Sequence, residues 1–341
     1  MKSTTISELA KELGVSVSTV SRALNGKSVV KEDTRQMVLE AAEKYCYVPN
    51  EIARSLKKSS TKTMAVVLPD ISETFFGTIV KEIDRVVSGQ GYMLILADTH
   101  ENADNEKKYL DMLYTRRVDA LVLATVDCSG STVRRFMESG APVVFIDNVP
   151  DLQELDAVTI DNRQASRMAV ECLAAHGHRR IAVIAGSEKE TTGVDRLAGY
   201  EEAMAERNIP VDRKLVAYGN YKWESGYLQM KRLLALRKEN PFSAVYAISE
   251  KMTYGAMRAI AESGLRVPED ISVVGFDIHQ VGMEPRQKIT SVRQPEVEIG
   301  RRVGELLLRR LADLEEKEDQ AGHRRLLLDP FLEEGETVGM F

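Results

Sequence analysis

The chain has 341 residues, 43% of them hydrophobic and 29% charged, with a net charge of −6. That length points to two or three domains, and the balance is that of a folded protein with a real core, which excludes a disordered chain. No run reaches the roughly 18 apolar residues of a membrane-spanning helix. The opening MKSTTISELAKELG lacks the apolar core of a signal peptide. The three cysteines, Cys46, Cys128 and Cys172, are scattered and odd in number. The expectation is a cytoplasmic protein with no disulfide scaffold, no metal site and no membrane partner. Charge is unevenly spread. Residues 1–62 carry 11 Lys+Arg against 7 Asp+Glu, a balance of +4, while the remainder carries 35 against 45, a balance of −10. A basic head on an acidic body fits a nucleic-acid-binding module fused to something else.

The head reads as three short helices. Thr5 and Glu8 have capping-box spacing, and Ile6, Leu9, Ala10 and Leu13 form one apolar stripe that Gly14 ends. Ser16 caps a second helix running to Leu24, with Val20, Ala23 and Leu24 inward and Ser18, Ser21 and Arg22 pointing elsewhere. A third helix spans about 31–45, with Val38, Ala42 and Tyr45 inward. Two helices joined by a tight glycine-containing turn, the second with a polar outer face, make a helix-turn-helix. Pro49-Asn50 breaks the chain, and a two-turn helical segment over 51–58 leads into a polar, basic linker. Two turns are too few to stand alone in water, so this segment is expected to order only when held.

From Thr63 the pattern changes to short apolar runs at 64–68, 92–96, 120–124, 143–146, 181–185, 244–248 and 271–275. Helical patterns at 76–90, 105–116, 162–176, 196–207, 225–237 and 252–263 alternate with them. Such alternation predicts parallel sheets covered on both faces, and some 280 residues are too many for a single core. The fold class is therefore an all-α helix-turn-helix head plus an α/β body of two doubly wound parallel-sheet subdomains. The expected division is 1–48 for the head and 49–62 for the hinge. The first ligand-binding subdomain takes 63–160 plus about 293–322, and the second takes 161–292 plus about 323–341. A long tail helix from Glu296 to about Leu314 and a last strand at 325–328 close the chain.

The motifs ISELAKELGVSVSTVSRALNG and YVPNEIARSL closely resemble the head of the LacI/GalR family of bacterial transcription regulators. LPDISETFFGTIVKEID, PVVFIDN, GHRRIAVIAG, RLAGYEEAM, GLRVPEDISVVGFD and ITSVRQP follow in the family's order, so the resemblance spans essentially the whole chain. It implies a body similar in fold to periplasmic binding proteins of type I. It also implies a cytoplasmic homodimer, read as a repressor, that binds a pseudo-palindromic double-stranded operator and responds to a small effector, a sugar or sugar derivative. No cofactor is implied. Cys46, Glu250 and the acidic segment 331–337 depart from the family pattern.

For the head, the resemblance assigns base reading to Val17, Ser18 and Arg22. The residue types agree: Arg pairs bidentately with guanine, Ser offers a flexible hydrogen bond, and Val meets a thymine methyl. Ser16, Thr19, Ser21 and Asn25 suit phosphates, which position without specifying. In the hinge, Leu56 would part a central base step from the minor groove, flanked by Asn50, Ala53, Arg54 and Lys57; the alternative is a small anchor on the body.

For the body, ligands of open α/β sheets bind beyond the C-terminal ends of the strands. Asp147, Asp277, Glu250, Phe75, Phe76, Arg196, Tyr221 and Trp223 fall there. Carboxylates and Arg196 can hold sugar hydroxyls while aromatic rings cover ring faces. Alternatives stay open: Phe75 or Phe76 as core, the two aspartates as turn residues, Trp223 as a plug between subdomains, and a nucleoside as ligand. Arg196 is fixed by the RLAGYEEAM resemblance. The rival readings are a sugar-modifying enzyme and a cytoplasmic carbohydrate-binding protein with a vestigial head. The common local signatures of enzymes are missing, and His176-Gly177-His178 reads as a turn before a strand.

Overall fold

The structure, a computed structural model, describes residues 5–24, 30–45, 47, 60–279, 287–316 and 322–341. The expected sites Asn25, Asn50, Ala53, Arg54, Leu56 and Lys57 lie outside these residues. The chain forms two compact units, 1–61 and 62–341, taken separately below.

In the head, α1 (Ile6–Glu12), α2 (Val17–Leu24) and α3 (Glu32–Lys44) follow the expected boundaries within one or two residues. The Thr5 hydroxyl accepts the Glu8 amide at 3.3 Å and the Glu8 carboxylate accepts the Thr5 amide at 2.7 Å, so the capping box is closed. Ser16 Oγ accepts the Thr19 amide at 3.1 Å and starts α2 in the same way. Gly14, at φ +66°, makes the left-handed turn between them. Leu9, Ala10, Val20, Ala23, Val38 and Ala41 form the buried core, with Leu24, Ala42 and Tyr45 packed partly against it.

The body holds two six-stranded sheets. The first is built from β1 (Thr63–Leu68), β2 (Met93–Asp98), β3 (Ala120–Leu123), β4 (Val143–Ile146), β5 (Asp156–Ile160) and a late strand of the tail. The second contains β6 (Ile181–Ala185), β7 (Val216–Tyr218), β8 (Ala244–Ala247), β9 (Ser272–Phe276), β10 (Thr290–Arg293) and the last strand. The two late strands are β11 (Arg325–Leu328) and β12 (Phe331–Glu333), giving orders β11-β5-β4-β3-β1-β2 and β12-β10-β9-β8-β6-β7. Every pairing is parallel except β12 on β10. The central strands are buried on both faces, which is why their sequences are unbroken apolar runs. The helices beside the sheets are α4 (Thr74–Ser88), α5 (Ala103–Thr115), α6 (Arg134–Glu138), α7 (Asn162–Ala175), α8 (Thr191–Glu206), α9 (Trp223–Leu236) and α10 (Glu250–Glu262). The long α11 (Glu296–Glu316) packs against α4.

The tail corrects the expected division. The sequence pattern places about 323–341 whole in the second subdomain, but β11 joins β5 in the first sheet and only β12 returns to the second. The reason is one buried carboxylate. Asp156 receives Arg310 Nε at 2.7 Å and Nη2 at 2.8 Å from α11, and also the Arg324 amide at 2.8 Å. A buried carboxylate demands such partners, and satisfying it draws the start of β11 to the edge of the first sheet. His178 is buried between the hydroxyls of Ser243 at 2.8 Å and Ser272 at 2.9 Å, so this turn histidine is a structural bridge. No helix among the described residues is long and apolar enough to cross a membrane.

Candidate functional site

The head presents its polar face on α2. With Val20 and Ala23 turned inward, Ser16, Val17, Ser18 and Arg22 are exposed, and Thr19 and Ser21 are half-buried beside them. Ser16 Oγ sits 2.8 Å from the hydroxyls of both Ser18 and Thr19, a hydroxyl cluster at the N-terminus of the helix. An exposed valine in the first turn and an exposed arginine five residues later are placed as a groove-reading helix needs them.

In the body, the C-terminal ends of both sheets face a cavity of about 310 Å³. Seven of the eight expected ligand residues line it: Phe75, Phe76, Asp147, Arg196, Tyr221, Glu250 and Asp277. Trp223 does not. It is the first residue of α9, 40% exposed, and stacks on Tyr227 with ring centres 5.4 Å apart. Tyr221 supplies the wall instead. It adopts φ +63°, and its ring enters where Gly186 and Gly193 leave room; a Cβ on either would come within 2.6 Å of its hydroxyl. Phe75 and Phe76, edge to face at 5.0 Å, belong to the apolar core and line the cavity as well.

Arg196 is 4% exposed. Its Nε donates to Asn162 Oδ1 at 2.8 Å and its Nη1 to the Ile248 carbonyl at 3.0 Å, while the guanidinium lies 3.7 Å over the Phe276 ring. Arg196 also lines the cavity. The two aspartates end β4 and β9 in left-handed conformations, φ +57° and +50°. Asp277 is committed to the protein: Oδ1 accepts the Gln294 amide at 2.8 Å and Oδ2 its side-chain nitrogen at 2.6 Å. Burial still lifts its carboxyl to about 6 against those bonds and the nearby Arg196. Burial likewise raises Asp147, with Arg196 opposing. Glu250 Oε1 accepts the His279 amide at 2.9 Å.

Several residues of the cleft escaped sequence reading. Glu73 precedes the two phenylalanines, and Glu190 and Thr192 sit in the polar loop after β6. Burial, then the charge of Asp147, raises both glutamates to about 7. Polar bridges cross between subdomains. Lys251 Nζ meets Asp70 Oδ2 at 2.6 Å and Glu73 Oε1 at 3.3 Å, and Lys222 Nζ meets Glu101 Oε2 at 2.9 Å. Asn148 Oδ1 accepts the Thr192 hydroxyl at 3.1 Å. The polar loop after a strand was the available signal for Glu190; the lysines carried none. Among the described residues no group of three His, Cys, Asp or Glu could hold a metal ion.

Comparison with known proteins places this geometry. Residues 5–50 match the family described as bacterial regulatory proteins, lacI family, and residues 61–330 match periplasmic binding proteins and sugar binding domain of LacI family. The catabolite control protein A of Priestia megaterium is 33% identical over 87% of this chain and 89% of its own length. The solved transcriptional regulator CelR–cellobiose complex superposes with a TM-score of 0.73 at 31% identity, covering 98% of this chain and 99% of that one. The lac repressor dimer bound to operator and the anti-inducer ONPF gives 0.84 at 26% identity, covering 99% and 100%.

Proposed function

Because this chain belongs to the lacI family of bacterial regulatory proteins, we infer that it is a ligand-responsive transcription repressor working in the cytoplasm. It binds a pseudo-palindromic operator as a homodimer and takes a sugar or sugar derivative between its two subdomains. The observation that carries the reading is coverage: a repressor dimer on its operator aligns with 99% of this chain, head and body together.

Val17, Ser18 and Arg22 read base edges, and Ser16, Thr19, Ser21 and Asn25 hold phosphates. Asn50, Ala53, Arg54 and Leu56 enter the minor groove at the centre of the site. In the cleft, Arg196, Asp147 and Glu250 hold polar groups of the effector while Phe75, Phe76 and Tyr221 cover its apolar faces. Asp277 positions Gln294. The polar bridges across the cleft support a switch by population shift. A ligand that joins them or breaks them changes the angle between subdomains, and with it the spacing of the two hinge segments.

The test is sequencing of genomic fragments retained by the purified protein at moderate salt, alone and with a panel of sugars and nucleosides. A pseudo-palindrome with an easily kinked central step, its recovery changed by one ligand, is the expected result. A diffuse yield that only salt changes, under every condition, overturns the reading.

A further inference from the structure

Glu250 belongs to the wall of the cavity, yet its carboxylate is given to a second partner. Oε1 accepts the amide of His279 at 2.9 Å and lies 3.4 Å from Nδ1 of the same residue. The other ring nitrogen, Nε2, stands 2.8 Å from Glu296 Oε1. Both ring nitrogens face carboxylates, an environment that keeps the imidazole charged. Burial opposes that charge, and the two carboxylates still raise His279 to about 9. The His279 and Glu296 side chains are 9% and 7% exposed, so water screens little between them.

The two carboxylates begin two different helices, Glu250 the helix α10 and Glu296 the helix α11. α11 follows β10 of the second sheet and then lies along α4 of the first subdomain. The approach is close. A Cβ on Gly300 would come within 2.6 Å of the Ile79 carbonyl oxygen, and one on Gly304 within 2.8 Å of the Val86 side chain. A helix packed that closely transmits a displacement of its first turn. The charges around the bridge are matched. Arg293 meets Glu296 at 3.3 Å and Glu333 of β12 at 3.0 Å, and Lys288 meets Glu333 at 3.1 Å, so His279, Arg293 and Lys288 answer three carboxylates. Tyr254 of α10 donates to the His279 carbonyl at 2.9 Å, and Asp277 at the end of β9 is held by Gln294. In a network so paired, drawing one carboxylate away leaves a buried cation short of a partner, which is costly.

We propose that His279 is a positioning residue of the switch, tying Glu250 in the cavity wall to Glu296 at the head of the crossover helix. A ligand that engages Glu250 loosens its hold on His279, and the loss passes through Glu296 to the seat of α11 on α4. The role as a switch rests on the reading of the cleft as the effector site; the tie itself needs neither ligand nor DNA.

The experiment is hydrogen exchange, read by mass spectrometry near pH 7, on the ligand-free full-length protein and its Glu250→Gln, His279→Gln and doubly substituted forms. Glu250→Gln keeps the length of the side chain and an acceptor for the His279 amide, and removes only the charge. It is expected to speed exchange in the first turns of α11, residues 299–305, about fivefold or more, and to have no further effect there once His279 is replaced. The remote helix α5 should exchange alike in all four. Glu296→Gln gives the reciprocal reading over residues 251–256 of α10, and serves where Glu250→Gln does not fold. The His279 ring, followed by NMR and assigned with His279→Gln, should titrate near 9 in the wild type and lower in either carboxylate variant. Exchange in α11 that ignores Glu250→Gln, responds equally without His279, or rises by the same factor in α5 overturns the proposal. So does a His279 midpoint at the ordinary value of about 6.5. The operator assay above judges the regulator reading separately.

Discussion

Replacing Lys251 by methionine keeps most of the length of the side chain and deletes a charge that links the two subdomains across the cleft. Against a burial that disfavours ionisation, Lys251 and the two hydrogen bonds from Ser72 hold the Asp70 carboxyl down to about 2. One pKa unit is about 1.36 kcal/mol, so the lowering of Asp70 from 3.8 to about 2 sets an upper limit of about 2 kcal/mol on what Lys251 contributes through it. The pair is about 30% exposed on each side, which keeps solvent screening modest. Removing it should raise the open fraction of the ligand-free body, by at most about 30-fold. The single tryptophan is well placed to report this, since Trp223 shares a surface depression with Asp70, Glu101, Lys222 and Lys251. Tryptophan emission and the small-angle scattering radius should both change in Lys251→Met. Lys222→Met removes a more exposed bridge and should change them less, as should high salt in the wild type. Identical emission and scattering for wild type and Lys251→Met would refute the idea that this contact sets the angle of the cleft.

Removing Arg310 strands the buried carboxylate of Asp156, so Arg310→Met should cost about 3–5 kcal/mol in chemical denaturation, with part regained when Asp156 is also made apolar. Stability should depend on pH with a definite sign. Glu73 and Glu190 near 7 and Asp277 near 6 are raised above their unfolded values, so the stability they contribute is complete below about pH 4 and is lost as pH rises to about 7. His279, raised to about 9 by Glu250 and Glu296 against its burial, adds stability that is lost as pH rises through 9. The ligand-free melting temperature of the body should therefore be higher at about pH 5 than at about pH 8, and a rise instead would contradict these environments. Arg22→Ala should weaken binding to the recovered operator by about 1–3 kcal/mol and relax the preference at one base pair, with a uniform loss over all sequences marking a phosphate contact instead.

How much of this was legible depended on whether a residue's partner lay nearby in sequence. The capping box of Thr5 and Glu8, the Ser16 cap and the apolar strands β1, β3, β4, β6 and β8 carry their own local signals, and the structure follows them. The short strands β5, β7, β10 and β12 are polar or brief, and each exists because a neighbouring strand pairs with it. The sheet that β11 joins is decided by Asp156, more than 150 residues from Arg310 and Arg324. In the cleft, Asp147, Asp277 and Arg196 were found because strand ends and their loops are where ligands bind. Glu73, Glu190 and Lys251 look like ordinary surface charges until the fold turns them toward one volume. The misplaced Trp223 lies two residues from the right aromatic: the left-handed turn at Tyr221 sends that ring inward, and the helix begins just after it.

The two sheets share one strand order and differ in the direction of the edge strand, parallel for β11 and antiparallel for β12, with β4 in the first standing where β9 stands in the second. No repeat is visible in the sequence, yet both strands end in an aspartate with left-handed backbone, Asp147 and Asp277. Arg196 acts on both, lowering each against the effect of burial. Equivalent position has not led to equivalent use. Asp277 spends both oxygens on Gln294, at the junction between β10 and α11 that carries the chain back toward the first subdomain. Asp147 is left facing the cavity with the backbone of Asn148 as its support, and Asn148 in turn reaches Thr192 and Glu190 across the cleft. One aspartate thus fixes the crossover and the other lines the cavity. A charge that arrives at Asp147 changes the field at Arg196 and so at Asp277, which holds the crossover. That chain of contacts gives an effector in the cleft a physical route to the angle between the subdomains.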